Sequence, residues 1–328
     1  MKKIILLLFL MTSIYVISQK APNSHIEKKE AIVSYLPQMV APNIISTAAF
    51  EGHASITPSG KELYFAIYSN DHSYCTIAYA IKKGEHWSTP QIAPFSGNYS
   101  DGSPSLSPDG NKLFFSSNRP IKGTTINTNA DLWFVERTNE HSNWSEPKRL
   151  PDGINSSYTE FSPTVDHQGN LHFCSNRPNG YGDMDIYYAT FSNHQYQTPI
   201  LLPKTINSKY HEGNVGVSPD GTILFMMIQH KPGDYGYDDI HYSIKRHGLW
   251  TPSKNIGPIV NTATYDFSPK ISPNGKTLFF SSRIHNGFIK TDTIYTYQSF
   301  QHRLDSPLNG FGNIYQIALE NLPIETEK

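Results

Sequence analysis

The chain has 328 residues, with 27 Lys and Arg against 28 Asp and Glu, and a formal charge of −1. That balance excludes the strongly basic face of a nucleic-acid binder. Two cysteines exclude a disulfide framework, and 20 Tyr and 17 Phe beside 22 Gly and 23 Pro favour short strands and turns.

In chain order, Lys2 and Lys3 precede an apolar stretch from Ile4 to Ile17 broken only by Thr12, Ser13 and Tyr15. This is short for a membrane span and has the length of a signal-peptide core. Residues 1–18 are therefore expected to be a signal peptide cleaved before Gln19, with no integral span afterwards. Without Lys2 and Lys3 the remainder has 25 basic and 28 acidic residues, near −3. Residues 19–30 are polar and read as a flexible lead, and 323–328 as a polar tail.

Between them one segment recurs. Ser105-Leu-Ser-Pro-Asp-Gly110 leads into Leu113-Phe-Phe-Ser-Ser-Asn-Arg119, and its counterparts end in Gly60, Gly169, Gly221 and Gly275. The glycine spacings are 50, 59, 52 and 54, a period that signifies stacked supersecondary units. Pro presets φ, Asp bonds its own backbone and Gly takes positive φ, so each copy is a tight hairpin between β-rich runs. Third strands follow at Asp131-Leu-Trp-Phe, Asp185-Ile-Tyr-Tyr and Asp239-Ile-His-Tyr. Fourth strands are expected after Trp87, Trp144 and Trp250, with Tyr196 replacing the Trp in copy three. Residues 31–322 are thus predicted to form a single all-β domain, a five-bladed β-propeller with four-stranded antiparallel blades. The last copy has its third strand late, at Gly312–Leu319, and no fourth strand, so the segment around 37–47 is expected to complete that blade and close the ring. The insertion near 284–308 leaves room for a degenerate sixth blade.

These residues resemble the PD40 (WD40-like, TolB-like) propeller repeat over nearly the whole chain after residue 30. Ser175-Asn-Arg-Pro-Asn-Gly-Tyr-Gly-Asp183, Asp185-Ile-Tyr187 and Trp144-Ser-Glu-Pro147 are most similar to the propellers of Bacteroidetes cell-envelope proteins, among them OmpA-like proteins and type IX secretion lipoproteins. The resemblance implies a periplasmic or surface-facing scaffold that binds an envelope protein or glycan. An OmpA-like peptidoglycan module is lacking, so peptidoglycan binding is not implied. A monomer is expected.

Nine residues before each turn glycine stands an acid: Glu51, Asp101, Glu160, Glu212 and Asp266. This register begins the innermost strand and predicts a carboxylate ring at the channel mouth opposite the turns. Two readings follow. Arg119, Arg177 and Arg283 sit where they can pair with Asp101, Glu160 and Asp266, making the ring architectural. Glu51 and Glu212 have no Arg in register but have His53 and His211 as neighbours. Glu51, His53, His211, Glu212 and His230 are therefore the candidates for gathering around a polar ligand or a divalent cation. The Asp-rich turns at 182–185 and 237–239 suit capping of the third strand better than calcium. No elbow, phosphate loop, zincin or Cys-x-x-Cys motif occurs, so no catalytic residue, resident metal or cofactor is assigned. The expected function is an exported binding or scaffold propeller engaging its partner at the mouth or on the loops near 120–130 and 284–308. The rival is a polysaccharide-active enzyme, lyase or glycosidase-like, using His and Glu at the mouth. Tyr181, Tyr235 and Tyr237 are expected to form an interaction rim.

Overall fold

In each repeat a Leu enters the second strand just after the turn glycine, and an aliphatic residue lies early in the third. Leu63, Leu113, Leu171, Leu224 and Leu278 are all fully buried, as are Ile77, Leu132, Ile186, Ile240 and Ile314. These two five-membered sets weld the second and third strands of each blade to the neighbouring blades. Burying each side chain contributes roughly 1.5–3 kcal/mol.

The computed structural model describes residues 35–71, 73–121, 128–283 and 294–324. All the strands belong to one compact unit, Leu36–Lys328. They form five antiparallel blades. The first strands are Phe50–Ile56, Asp101–Leu106, Glu160–Val165, His211–Val217 and Asp266–Ile271. Second and third strands follow outward, and two-residue strands such as Lys148–Arg149, Ile200–Leu201 and Lys254–Asn255 complete the outer edges. Each first strand packs on the next around the ring, and the last returns to the first.

The ring is closed by the N-terminal side. Gln38–Met39 pairs antiparallel with Asn313–Ala318, with Gln38 opposite Gln316. The Val40 N–H donates to the Ile314 carbonyl, and the Ser46 hydroxyl donates to the same carbonyl. In blade one the Ser96 hydroxyl accepts from the Ile77 N–H at this corner, and in blades two, three and four an asparagine holds it. Asn155, Asn207 and Asn261 each accept from a third-strand N–H through Oδ1 and return a bond through Nδ2 to the same residue's carbonyl.

The described part of the 284–308 insertion contains a helix, Tyr297–Leu304, and no strand, so the propeller has five blades. The expected signal peptide, lead and last four residues lie outside the described residues. Among those described, no helix is long and apolar enough to cross a membrane.

Candidate functional site

Every first strand is broken at the same place. Two residues after each acid, the backbone enters the left-handed region at His53 (φ 56°), Ser103 (52°), Ser162 (53°), Asn214 (50°) and Ser268 (55°). The pairing register shifts there in all five blades. Such a bulge re-aims side chains, and each left-handed residue other than glycine costs about 1–3 kcal/mol. His53, Ser103 and Asn214 line a cavity of about 410 Å3 at the mouth of the central channel.

The repeated acids are turned into the blade walls. All five are buried, and none lines this cavity. Glu51, Glu160, Glu212 and Asp266 each accept from the backbone N–H and the hydroxyl of a Ser or Thr four residues earlier: Thr47, Ser156, Ser208 and Thr262. Asp101 accepts instead from the hydroxyls of Ser96, five residues earlier, and Ser117. Two expected ion pairs are present, Arg119 to Asp101 at 2.9 Å and Arg177 to Glu160 at 3.0 Å. In blade five the pattern differs. Arg283 lies at the mouth over the rings of Phe50 and Tyr265, 5.0 and 4.7 Å from their centroids. Burial lowers its pKa, against the opposing influence of Tyr265 and Asp238.

The structure thus brings only part of the expected set to the mouth, with His53 lining the cavity and His230 acting on the lining residue Asp238. Of Glu51, His53, His211, Glu212 and His230, only His53 lines the cavity. His211 is half-buried and feels the charges of Asp183 and Asp185. His230 is exposed, edge-on to Tyr237 at 5.5 Å. Among the described residues, no cluster of three or more His, Cys, Asp or Glu side chains has the geometry to hold a metal ion. Asp185 and Asp239 serve as caps, Asp185 accepting from the N–H groups of Tyr181 and Gly182 and Asp239 from those of Tyr235 and Gly236.

The residues that do line the mouth are mostly departures from the repeat. Phe50, Tyr68, Phe161, Tyr265 and Phe267 supply ring faces. Phe50 stacks on Phe267 at 5.7 Å and meets Tyr68 edge-on at 5.1 Å. Between the rings lie His53, Asn214, Asp238 and Arg283. The Nδ1 of His53 and the Oδ1 of Asp238 are buried without hydrogen-bond partners. Burial, and then the charge of Lys270, push the His53 ring down to about 3, so it is neutral at pH 7. Burial raises the Asp238 carboxyl, against a side-chain hydrogen bond from Gln229 and the nearby charges of His230 and Arg283. Beside the mouth, Lys270 occupies the channel, donating to the carbonyls of Pro163 and Val215 at 2.9 Å each, and burial brings it down to about 7. Cys75 also lines the cavity, but burial pushes its thiol up to about 11, which makes it a poor nucleophile. Tyr181, Tyr235 and Tyr237 are exposed, and Tyr237 stacks on the mouth residue Tyr265 at 5.2 Å. Sequence reasoning missed Asp238 as a mouth residue because Asp239 takes the repeat's capping position. The doubled Asp238-Asp239 was the available signal.

No family model and no curated protein matches the chain. Among solved structures, the chain is similar to an α-L-arabinofuranosidase from Lactobacillus brevis at 14% identity. It covers 85% of this chain and 92% of that one, with a TM-score of 0.52. The catalytic domain of the GH62 α-L-arabinofuranosidase of Coprinopsis cinerea gives 12% identity, 89% and 99% coverage, and a TM-score of 0.50. TolB from Acinetobacter baumannii gives 16% identity over 71% of this chain, with a TM-score of 0.45, and this chain spans about half of its length. At these identities the two arabinofuranosidases share with this chain its fold, the five-bladed propeller.

Proposed function

We propose that the protein is an exported propeller of the cell envelope that binds a short glycan at the channel mouth. The observation that carries this is the pairing of ring faces with two buried, unpartnered polar atoms, His53 Nδ1 and Asp238 Oδ1, in one cavity of about 410 Å3. A sugar presents an apolar face to an aromatic ring and hydroxyls at its rim, and a buried polar atom gains most when a ligand supplies its missing bond. Residues 2–17 support export by their charge and hydropathy pattern.

The enzyme reading is weaker on the same geometry. Glycoside hydrolysis ordinarily needs two carboxyl groups across the scissile bond, and Asp238 is the single carboxylate among the described lining residues. His53, held near 3, is neutral and a weak base at pH 7.

Isothermal titration with neutral and uronic-acid oligosaccharides tests the proposal, with His53→Ser and Tyr265→Ala as variants. Serine occupies the matching left-handed position in three blades, so His53→Ser keeps the fold. Binding weakened about tenfold or more by either variant is expected. Absence of binding to every sugar at millimolar concentration refutes the glycan assignment, and steady release of reducing ends turns it into an enzyme.

A further inference from the structure

A second cavity, of about 500 Å3, lies away from the mouth, in the cleft between blades two and three near the turns. The protein's own repeats show what such a cleft accommodates. Between blades one and two, Trp144 stands edge-on to Tyr64 at 5.9 Å and donates its indole N–H to the Tyr64 hydroxyl at 3.0 Å. Between blades three and four, Trp250 meets His172 at 6.3 Å. Trp87 of blade one packs in one core cluster with Phe279 of blade five. Blade five has no such Trp, and the cleft between blades four and five is filled by the C-terminal segment. Leu322 packs with Phe225 and Tyr242, and the Tyr242 hydroxyl donates to the Pro323 carbonyl at 3.0 Å.

The remaining cleft differs. Its floor has the same build, with Phe114 and Phe134 paired across the strands at 6.0 Å, as Tyr64 and Tyr79 are in the neighbouring cleft. The residue in the Trp position is Tyr196, which packs on the same core cluster as Phe114 and Phe134 and sits on Phe191 of its own hairpin at 5.0 Å, but carries a smaller ring than the indole it replaces. Phe114, Phe134, Leu150, Phe191 and Tyr196 then surround unfilled space.

We infer that this cleft is a docking site for a tryptophan side chain carried on an extended segment of a partner protein. In the other four clefts the occupant arrives on polypeptide, a Trp-bearing arm in three and the terminal segment in the fourth. His86–Trp87 and Leu249–Trp250 show the arrangement, with each Trp set opposite a lysine at the end of a third strand. The incoming indole takes the space that Tyr196 leaves beside Phe114 and Phe134. This site is independent of the glycan reading, since it shares no lining residue with the mouth.

The test uses a fluorescein-labelled peptide, Ser-Asn-Trp-Ser-Glu-Pro, which copies residues 142–147, and reads its anisotropy against the full chain. The expected result is saturable binding below about 1 mM. The same peptide with Ala for Trp and free N-acetyltryptophanamide should bind at least about tenfold more weakly. Tyr196→Trp restores the repeat's own side chain, so it should raise the melting temperature and abolish peptide binding. Gln195→Trp, at the exposed rim of the same cavity, provides a second block should Tyr196→Trp fold poorly. No binding at about 1 mM, equal binding of the Ala peptide, or unchanged binding to both filled variants overturns the inference. Tight binding of free N-acetyltryptophanamide with none by the peptide overturns the assignment of the partner as a protein.

Discussion

The repeated acids fall into two electrostatic classes, and Glu51→Gln separates them. Glu51 is buried and takes hydrogen bonds from the Thr47 N–H and hydroxyl, with no arginine in register. Burial raises its carboxyl from 4.5 to about 7, with Thr47 pulling the other way. A folded-state value above the unfolded one means that the folded protein holds a proton which the unfolded chain has already lost. The stabilising contribution is therefore complete below about pH 4.5, falls as pH rises to about 7, and is flat beyond. Each pH unit of that window is worth about 1.4 kcal/mol, so ionisation at pH 8 costs up to about 3 kcal/mol. Glutamine keeps the shape and can still accept from Thr47 without the charge. Urea denaturation followed by tryptophan fluorescence, at half-unit steps from pH 4 to 8, should show wild type and Glu51→Gln nearly equal at pH 4. By pH 8 the variant should be more stable by about 1–3 kcal/mol. His53 and Lys270 also titrate with folding, but they are common to both proteins and cancel in the difference. A variant less stable than wild type at pH 8, or a difference independent of pH, would refute the burial argument and make the ionised carboxylate itself the clamp on the Thr47 turn.

Asp101→Asn should behave oppositely, because it leaves Arg119 buried without its ion pair at 2.9 Å. A loss of about 3–5 kcal/mol is expected, measured by the same denaturation at pH 7. Asn207→Ala removes bonds of 2.8, 3.0 and 2.9 Å to Ile186 and Leu202 in a fully buried corner. It should cost about 2–4 kcal/mol, read as a lower denaturation midpoint with an unchanged slope. Removing residues 1–43 takes away the strand paired to Asn313–Ala318 and should leave blade five with an open edge. Size-exclusion chromatography is expected to show association, and proteolysis to begin near residue 313.

Blade number, turn positions and ring closure were legible because each is written five times, or in the closing segment's likeness to a fourth strand. That Trp144 packs between blades was legible from its recurrence with Trp87 and Trp250, but its partner Tyr64 was not, since the two residues stand 80 apart in sequence. The acids were legible as a set, but their direction was not. A strand's period of two says which face a side chain takes, and the left-handed break at His53, Ser103, Ser162, Asn214 and Ser268 interrupts that period just after the acid. No glycine stands at those five positions to announce the break. Ser-Pro, found after the acid in three of the five copies, was its nearest trace.

The same break bears on the proposed glycan site. A glycan has no five-fold symmetry, so a site for one must lie where the blades differ. Glu51, Asp101, Glu160, Glu212 and Asp266 each bond a Ser or Thr at the turn into their own blade, which is work every blade needs. At the position two residues later the side chains diverge into His, Ser, Ser, Asn and Ser, and the histidine carries an unpartnered nitrogen at the mouth. Arg283 stands in register with Arg119 and Arg177, yet it is set among Phe50 and Tyr265 at the mouth. Tyr196 obeys the same logic in the outer cleft, where it stands in place of the Trp that blades one, two and four supply. Paired variants draw the contrast directly. Glu212→Gln should shift stability with pH and leave ligand binding unchanged, whereas His53→Ser should leave stability within about 1 kcal/mol and weaken binding. The reverse pattern would place the ligand on the acids after all.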